Sequence, residues 1–345
     1  MVHMILNLQL IKNKILQLVL VNLIIIKLKS HSKKPIKALI EIPNWLGDCV
    51  MFTPAFDNII NYYNDIEITI FGSSASIEFI KNHPKIVNTL TVDSKNKFSY
   101  KTFSNLGSFD VFFSFRGSIR AKIIKFIISA TNKYQYSHDK YPKRHQVEKY
   151  VDFVNDCLNT KTSPGNLSCY LTNVKDKGTS RILGINPGAS YGSAKRWYPK
   201  QFAKIAIELS DNFDIMIFGG ADELEFAKEI ESHLTRNNIS NYLNLAGKTS
   251  ISELTNYISN LDIFITGDSG PMHIAASLDI PTVALFGPTN PIETSQWKNP
   301  HSVIIKKALE CQPCMKRTCP LKHHNCMKLI EAREVIDSIS EVSQR

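Results

Sequence analysis

Residues 262–286 read DIFITGDSGPMHIAASLDIPTVALF, and the order of residue types in this stretch decides the fold. An apolar run at 262–266 ends in Thr266-Gly267-Asp268-Ser269-Gly270. Pro271 then stands where a helix accepts a first-turn proline, a helix is expected over 271–278, and a second apolar run follows at 282–286. Short apolar strands joined by helices are the pattern of parallel β–α–β units, whose strands are buried on both faces. The turn between strand and helix also carries chemistry. A strand that leads through Gly-x-x-Gly into a helix start aims free backbone N–H groups at an anion, and Ser269 adds a hydroxyl. His273 lies one turn further in. A purely structural turn needs no Asp, Ser and His together, so Asp268, Ser269, Gly270 and His273 are read as ligand-binding residues.

Working outward, the same pattern recurs twice over. Strands are expected at 36–42, 66–71, 88–92 and 111–115, with helices near 50–63, 74–82 and 118–130. A second series has strands at 181–186, 214–218, 262–266 and 282–286 and helices at 199–210, 222–235, 251–260 and 271–278. Pro199 marks one helix start, and Ser250 with Glu253 forms a capping box at another. The polar segment 160–180, with its Pro-Gly, reads as the junction. The expected organisation is an extension over 1–34, an α/β domain over 35–170 and a second over 171–345. The two are Rossmann-like and face each other across a cleft.

Length and composition agree. With 345 residues, 43% hydrophobic and 21% charged, the chain is long enough for two globular domains and is neither disordered nor fibrous. The formal charge of +10 resembles a nucleic-acid signal until it is located. Residues 1–40 hold seven lysines and no acid, which leaves +3 on the other 305 residues, so no nucleic-acid partner is expected. The apolar run 15–26, ILQLVLVNLIII, is about 18 Å long as a helix, against the ~30 Å of a bilayer core. Lysines flank it on both sides, and no small-residue cleavage site follows. It reads either as a shallow helical anchor for an anionic membrane face or as a dispensable extension.

Ligands in open parallel sheets bind beyond the carboxyl ends of the strands, so those loops were read in turn. After the first strand comes Pro43-Asn44-Trp45-Leu46-Gly47-Asp48. Asp48 is either a helix N-cap or a general base aimed into the cleft. After the strand at 181–186 comes Asn186-Pro187-Gly188-Ala189-Ser190-Tyr191-Gly192-Ser193-Ala194-Lys195-Arg196-Trp197. Small residues, hydroxyls and a closing lysine make a diphosphate cradle, although the Walker spacing is absent. After 214–218 comes Gly219-Gly220-Ala221-Asp222-Glu223, where an acid can meet ribose hydroxyls or simply complement the helix dipole. No G-x-G-x-x-G follows a strand, so hydride chemistry on a bound dinucleotide is not expected. No H-E-x-x-H or D-x-D occurs, so no catalytic metal is expected.

NPGASYGSAKRWYP, GDSGPMH, FGPTNP and the tail CQPCMKRTCPLKHHNCM, in that order, resemble glycosyltransferase family 9 from about Ile36 to Ile339. The resemblance implies a GT-B fold, with the acceptor on the N-terminal domain and ADP-heptose on the C-terminal one. It implies inverting transfer without a covalent intermediate and without a required cofactor, onto the first heptose of the lipopolysaccharide inner core, with heptosyl-Kdo2-lipid A as acceptor. The uneven cysteine usage reads as that of a cytoplasmic protein, and residues 1–34, which have no counterpart in the family pattern, would hold it peripherally on the inner membrane. On matching positions Asp48 is the base and Lys195 the phosphate-binding lysine, with Ser190 a hydroxyl near the same phosphates. Asp268, Ser269, Gly270 and His273 form the donor turn, and either Asp222 or Glu223 meets the ribose. Arg116, Arg120 and Lys122 then fall on the acceptor side, suited to its phosphates or carboxylates. A sugar-nucleotide epimerase or a non-catalytic nucleotide-binding regulator is the alternative for the same architecture. The spacing C-x2-C-x4-C-x6-C of Cys311, Cys314, Cys319 and Cys326 matches neither zinc-ribbon nor ferredoxin runs, which leaves reduced structural thiols or, as the weaker alternative, a metal site.

Overall fold

The computed structural model describes residues 34–92, 100–141, 143–171 and 178–344. The expected extension, with its apolar run, lies outside the described residues except for Lys34. The fold belongs to the unit Lys37–Arg345. Its first half contains β1 (Ile36–Glu41), α1 (Leu46–Tyr63), β2 (Ile66–Gly72), α2 (Ser74–Ile80), β3 (Ile86–Thr91) and α3 (Tyr100–Ser104). β4 (Ser108–Ser114), α4 (Ile119–Ile127), β5 (Ser129–Gln135) and α5 (Gln146–Leu158) complete it. The second half contains β6 (Ile182–Asn186), α6 (Pro199–Leu209), β7 (Asp214–Ile217), α7 (Leu224–Arg236), β8 (Tyr242–Asn244), α8 (Ile251–Ile258) and β9 (Ile263–Gly267). It continues with α9 (Gly270–Ser277), β10 (Thr282–Phe286), α10 (Pro291–Thr294), β11 (Ser302–Lys306), α11 (Asn325–Lys328) and α12 (Ala332–Gln344).

Both sheets are wholly parallel, in the orders β3-β2-β1-β4-β5 and β11-β10-β9-β6-β7-β8. Leu39 pairs with Phe112 at the centre of the first and Ile185 with Ile265 at the centre of the second. All four are fully buried, as strands covered by helices on both faces require. The order in which strands are added reverses between β1 and β4 in one sheet and between β6 and β9 in the other. At such a switch point neighbouring loops leave to opposite sides and open a crevice. Four loops are therefore placed to line one cleft: those after β1, β4, β6 and β9.

Several elements depart from the sequence reading. The helix expected over 118–130 stops at Ile127, and Ser129–Gln135 becomes β5. That strand reads SATNKYQ; it borders the sheet, so only one side pairs and its polar residues meet solvent. α5 had no counterpart in the reading, and it packs along α1. β8, β11 and α12 were likewise unassigned. The described part of the expected junction, 160–171, runs along α1, where Asp57 accepts hydrogen bonds from Ser168 Oγ at 2.8 Å and Tyr170 OH at 3.1 Å.

α1 tolerates an internal proline through a local substitution of hydrogen bonds. Pro54 has no N–H for the carbonyl of Val50, and Thr53 Oγ1 donates to that carbonyl instead at 2.8 Å. At its other end the first turn of α1 abuts the first turn of α9. A Cβ on Gly47 would lie 2.8 Å from His273 Cδ2, and one on Gly270 would lie 3.0 Å from Leu46 Cβ. Glycine at both positions brings the two halves into backbone contact. Gly47→Ala is accordingly expected to displace the buried His273 and lower turnover ~10–100-fold, while each half keeps its fold. Steady-state kinetics beside a thermal melt checks this; unchanged turnover would show that the joint has slack.

Candidate functional site

The cleft is built from those four loops. After β1 the chain is pinned at the carbonyl of Asn44, which accepts from Ser73 Oγ at 2.7 Å and Ser76 Oγ at 3.1 Å. α1 then begins at Leu46, with Trp45 in the cap position and no side-chain cap. Asp48 therefore is not the N-cap. It sits in the first turn with its carboxylate unused by the helix. Burial pushes that carboxyl up to about 6, nearby Asp268 adds to the rise and Lys195 opposes it. These three charged groups from three loops thus share one electrostatic environment.

Lys195 and Asp268 form its centre. Lys195 Nζ lies 2.7 Å from Asp268 Oδ2 and 3.1 Å from the Asp268 carbonyl oxygen, and both side chains are largely buried. Thr294 Oγ1 donates to the same Oδ2 at 3.2 Å, and the ammonium lies 4.7 Å from the centre of the Tyr191 ring. α9 starts immediately beyond, at Gly270, with Ser269 as its cap. Ser269 Oγ accepts from Asn186 Nδ2 at 3.2 Å, which ties the loop after β6 to the loop after β9. His273 is buried against Gly47, its Nε2 4.0 Å from Asp268 Oδ1. Burial holds the imidazole down at about 4, so it is neutral near pH 7.

The structure separates the two acids of the loop after β7. Asp222 is exposed. Glu223 is buried and turned inward, its Oε2 accepting the Gly220 N–H at 2.5 Å. A Cβ on Gly188 would fall 2.2 Å from Glu223 Cγ, so Gly188 is the space that Glu223 fills. Its Oε1 lacks a hydrogen-bond partner and lies 4.0 Å from Arg196. Ser190 lies exposed on the loop after β6.

On the N-terminal side the sequence reading missed Glu41. It ends β1, fully buried, and accepts from Ser114 Oγ at 2.5 Å with Arg116 NH1 3.6 Å away. Burial raises its carboxyl above the usual range, while Ser114, Arg116 and Arg120 pull it back. A lone acid at the cleft end of an apolar strand was the available signal. Arg116 and Arg120 gather around this carboxylate, whereas Lys122 lies exposed on the outer side of α4.

The Cys-rich tail borders the cradle. Cys311, Cys314, Cys319 and Cys326 line one small apolar cavity with His323 and Ala194. All are free thiols, and among the described residues no group of three or more His, Cys, Asp or Glu is disposed to hold a metal ion. The metal alternative is therefore not supported by the side-chain geometry. What the tail does is brace the loop after β6. The Arg317 carbonyl accepts from Ala194 N–H at 3.0 Å, His324 Nε2 lies 2.9 Å from the Ala194 carbonyl, and Tyr191 OH donates to the Met315 carbonyl at 2.9 Å. The Arg317 guanidinium itself lies over the rings of Tyr191 and Trp45, at 5.4 and 6.0 Å from their centres.

The Lys195–Asp268 pair gives a direct stability test. Removing one partner of a buried pair leaves the other charge unpaired, at about 3–5 kcal/mol. Lys195→Ala is expected to lower the melting temperature, and adding Asp268→Asn in the same chain to recover most of the loss. Equal melting of wild type and Lys195→Ala would mean that the pair is solvated.

The described geometry can be set beside known proteins. Residues 122–325 match the model of glycosyltransferase family 9 (heptosyltransferase). Lipooligosaccharide heptosyltransferase 2 of Campylobacter jejuni serotype O:2 is 40% identical over 311 residues, 87% of this chain and 96% of that one. Lipopolysaccharide heptosyltransferase 2 of Escherichia coli K12 is 38% identical over 124 residues, 36% of each chain. Among solved structures, ADP-heptose lps heptosyltransferase II of E. coli superposes with a TM-score of 0.74 at 20% identity, covering 90% of this chain and 99% of that one. A glycosyl transferase family 9 protein from Veillonella parvula gives the same TM-score and identity, covering 90% and 97%. The two parallel sheets are thus the halves of a GT-B fold, and the chain belongs to glycosyltransferase family 9, the heptosyltransferases.

Proposed function

We propose that this glycosyltransferase moves heptose from ADP-heptose, with inversion, onto the first heptose of a lipopolysaccharide inner core. The observation that carries the reading is the carboxylate of Asp48, raised to about 6 and in electrostatic contact with Lys195 and Asp268 across the cleft. The names of the relatives that cover most of the chain, lipooligosaccharide heptosyltransferase 2, support the choice of sugar.

In this reading Asp48 accepts the proton of the acceptor hydroxyl as its oxygen bonds to the anomeric carbon. The bond from that carbon to the diphosphate oxygen breaks on the opposite face, and ADP leaves with the electron pair. Lys195 and the amide groups at the start of α9 meet the charge that grows on the diphosphate. Glu223 serves the ribose, since it is turned inward against Gly188 with one carboxylate oxygen unpaired, whereas Asp222 is exposed. Arg116 and Arg120, oriented by Glu41, take anionic groups of the acceptor. Because a lysine and a helix start supply the positive charge, EDTA is expected to leave activity largely intact; complete loss, restored by a divalent ion, would overturn the lysine's assignment. Lys195→Ala is expected to weaken ADP-heptose binding and lower turnover together. Unlike stability, neither should return when Asp268→Asn is added.

The base assignment is tested by pH. A base works unprotonated, so kcat/KM is expected to fall on the acid side with a midpoint near 6. His273, held at about 4, is neutral throughout that range and does not produce the limb. Asp48→Asn should lose ~10²–10⁴-fold in turnover and with it the acid limb. A carboxyl raised on folding costs stability only where it is ionised. The same variant should therefore melt above the wild type beyond about pH 6, with the gain vanishing toward about pH 4. Near-normal turnover in Asp48→Asn would refute the assignment.

A further inference from the structure

We propose that the outward face of α4 is the surface on which this enzyme rests on an anionic lipid bilayer. α4 is apolar on two sides. Ala121 and Ile124 are buried on the inner side, and Ile124 belongs to a core cluster with Leu39, Phe112 and Ile128. On the opposite side Ile119, Ile123 and Phe126 stand at helical spacing with 78%, 39% and 87% of their surface exposed. Single exposed apolar residues are ordinary, but three in one stripe, with Phe126 almost wholly in solvent, mark an interaction surface.

The charges around the stripe select its occupant. α4 itself carries Arg120, Lys122 and Lys125 and no acid. Lys122 stands in the exposed stripe itself. A second copy of the chain docking there by two-fold symmetry would bring this basic surface against itself. Residues 1–34, with six lysines and no acid, are equally unsuited. An apolar stripe set among lysines and arginines fits the headgroup region of an anionic bilayer, where side chains enter the boundary and the cations meet phosphates.

The placement also serves the reaction, and in this respect it rests on the proposed glycolipid acceptor. α4 follows β4, so its first turn, with Ile119 and Arg120, lies at the cleft end of the sheet beside Arg116. A bilayer against the stripe would hold the acceptor's lipid where its sugar headgroup enters the cleft past those arginines.

The test uses the full chain and vesicles that contain no acceptor, so its outcome does not depend on the transfer reaction. The wild type is expected to co-sediment with phosphatidylcholine vesicles containing one third phosphatidylglycerol, to bind pure phosphatidylcholine weakly, and to be released by added salt. Combined Ile119→Ser, Ile123→Ser and Phe126→Ser should reduce partitioning ~10-fold or more, without change in melting temperature or in turnover on a delipidated acceptor. Phe126→Ser alone, at the most exposed site, should give a smaller loss in the same direction if the triple variant folds poorly. Vesicle binding by the variants equal to that of the wild type, or no binding by the wild type, overturns the proposal. So does unaltered vesicle binding accompanied by a change from dimer to monomer, which would make the stripe a contact between copies. If vesicle binding follows the expectation but no heptose is transferred to the delipidated acceptor, the functional reading fails alone.

Discussion

Two helix N-termini point into one cleft, and much of the site answers that constraint. α1 and α9 meet first turn to first turn, close enough that glycine is needed at positions 47 and 270. Each helix start presents unpaired N–H groups and a partial positive charge. Lys195 adds a full one. Such a concentration of positive potential is uncomfortable without anions, and Asp48 and Asp268 supply them. They do so in a place dry enough that burial still drives Asp48 up to about 6. In the proposed reading, this balance of charges is what a diphosphate would meet beside a carboxylate that takes a proton.

The sequence displayed part of this and hid the rest for physical reasons. The strand–turn–helix at Gly267–Gly270, the small-residue loop ending in Lys195 and the position of Asp48 beside Gly47 were all legible, because backbone paths that approach a ligand restrict residue type locally. The choice between Asp222 and Glu223 was not legible. It depends on the gap left by Gly188, thirty-five residues away in the chain, which only the packed sheet brings into register with Glu223. β5 was not legible beyond Ala130, because a border strand is half solvated and loses the apolar run that identifies a buried one. Glu41 was visible as a lone acid in an apolar strand, yet its partners Ser114 and Arg116 come from β4 and its loop, joined to β1 only by sheet pairing.

The Cys-rich tail has a polar role that its cysteine content does not display. Four cysteines within sixteen residues suggest ligands. In the fold they border an apolar cavity, and burial with the neighbouring thiols pushes Cys326 up to about 11, as for a thiol kept protonated. The polar work is done between them, by the carbonyls of Met315 and Arg317 and the imidazole of His324, all of which grip the loop that carries Lys195. Of the four cysteines, Cys326 is the one buried in the core of the second half.

The partner of Lys195, Asp268, is also tied to the opposite half, by way of α10. His145, just before α5, accepts the Val147 N–H at Nδ1, which fixes the proton on Nε2 and makes that nitrogen the donor to the Ser295 carbonyl at 3.0 Å. Burial lowers the pKa of this imidazole, consistent with the neutral form. One turn along α5, Lys149 Nζ lies 2.5 Å from Glu293. Between Glu293 and Ser295 stands Thr294, whose hydroxyl donates to Asp268, the partner of Lys195. Three consecutive residues thus join α5 of the first half to the ion pair of the second. The halves cannot part without breaking the two outer contacts, and the residue between them is the one that helps to hold Asp268 toward Lys195. Contact between the halves at this edge and the orientation of Asp268 toward Lys195 are therefore coupled through one short segment, Glu293–Ser295.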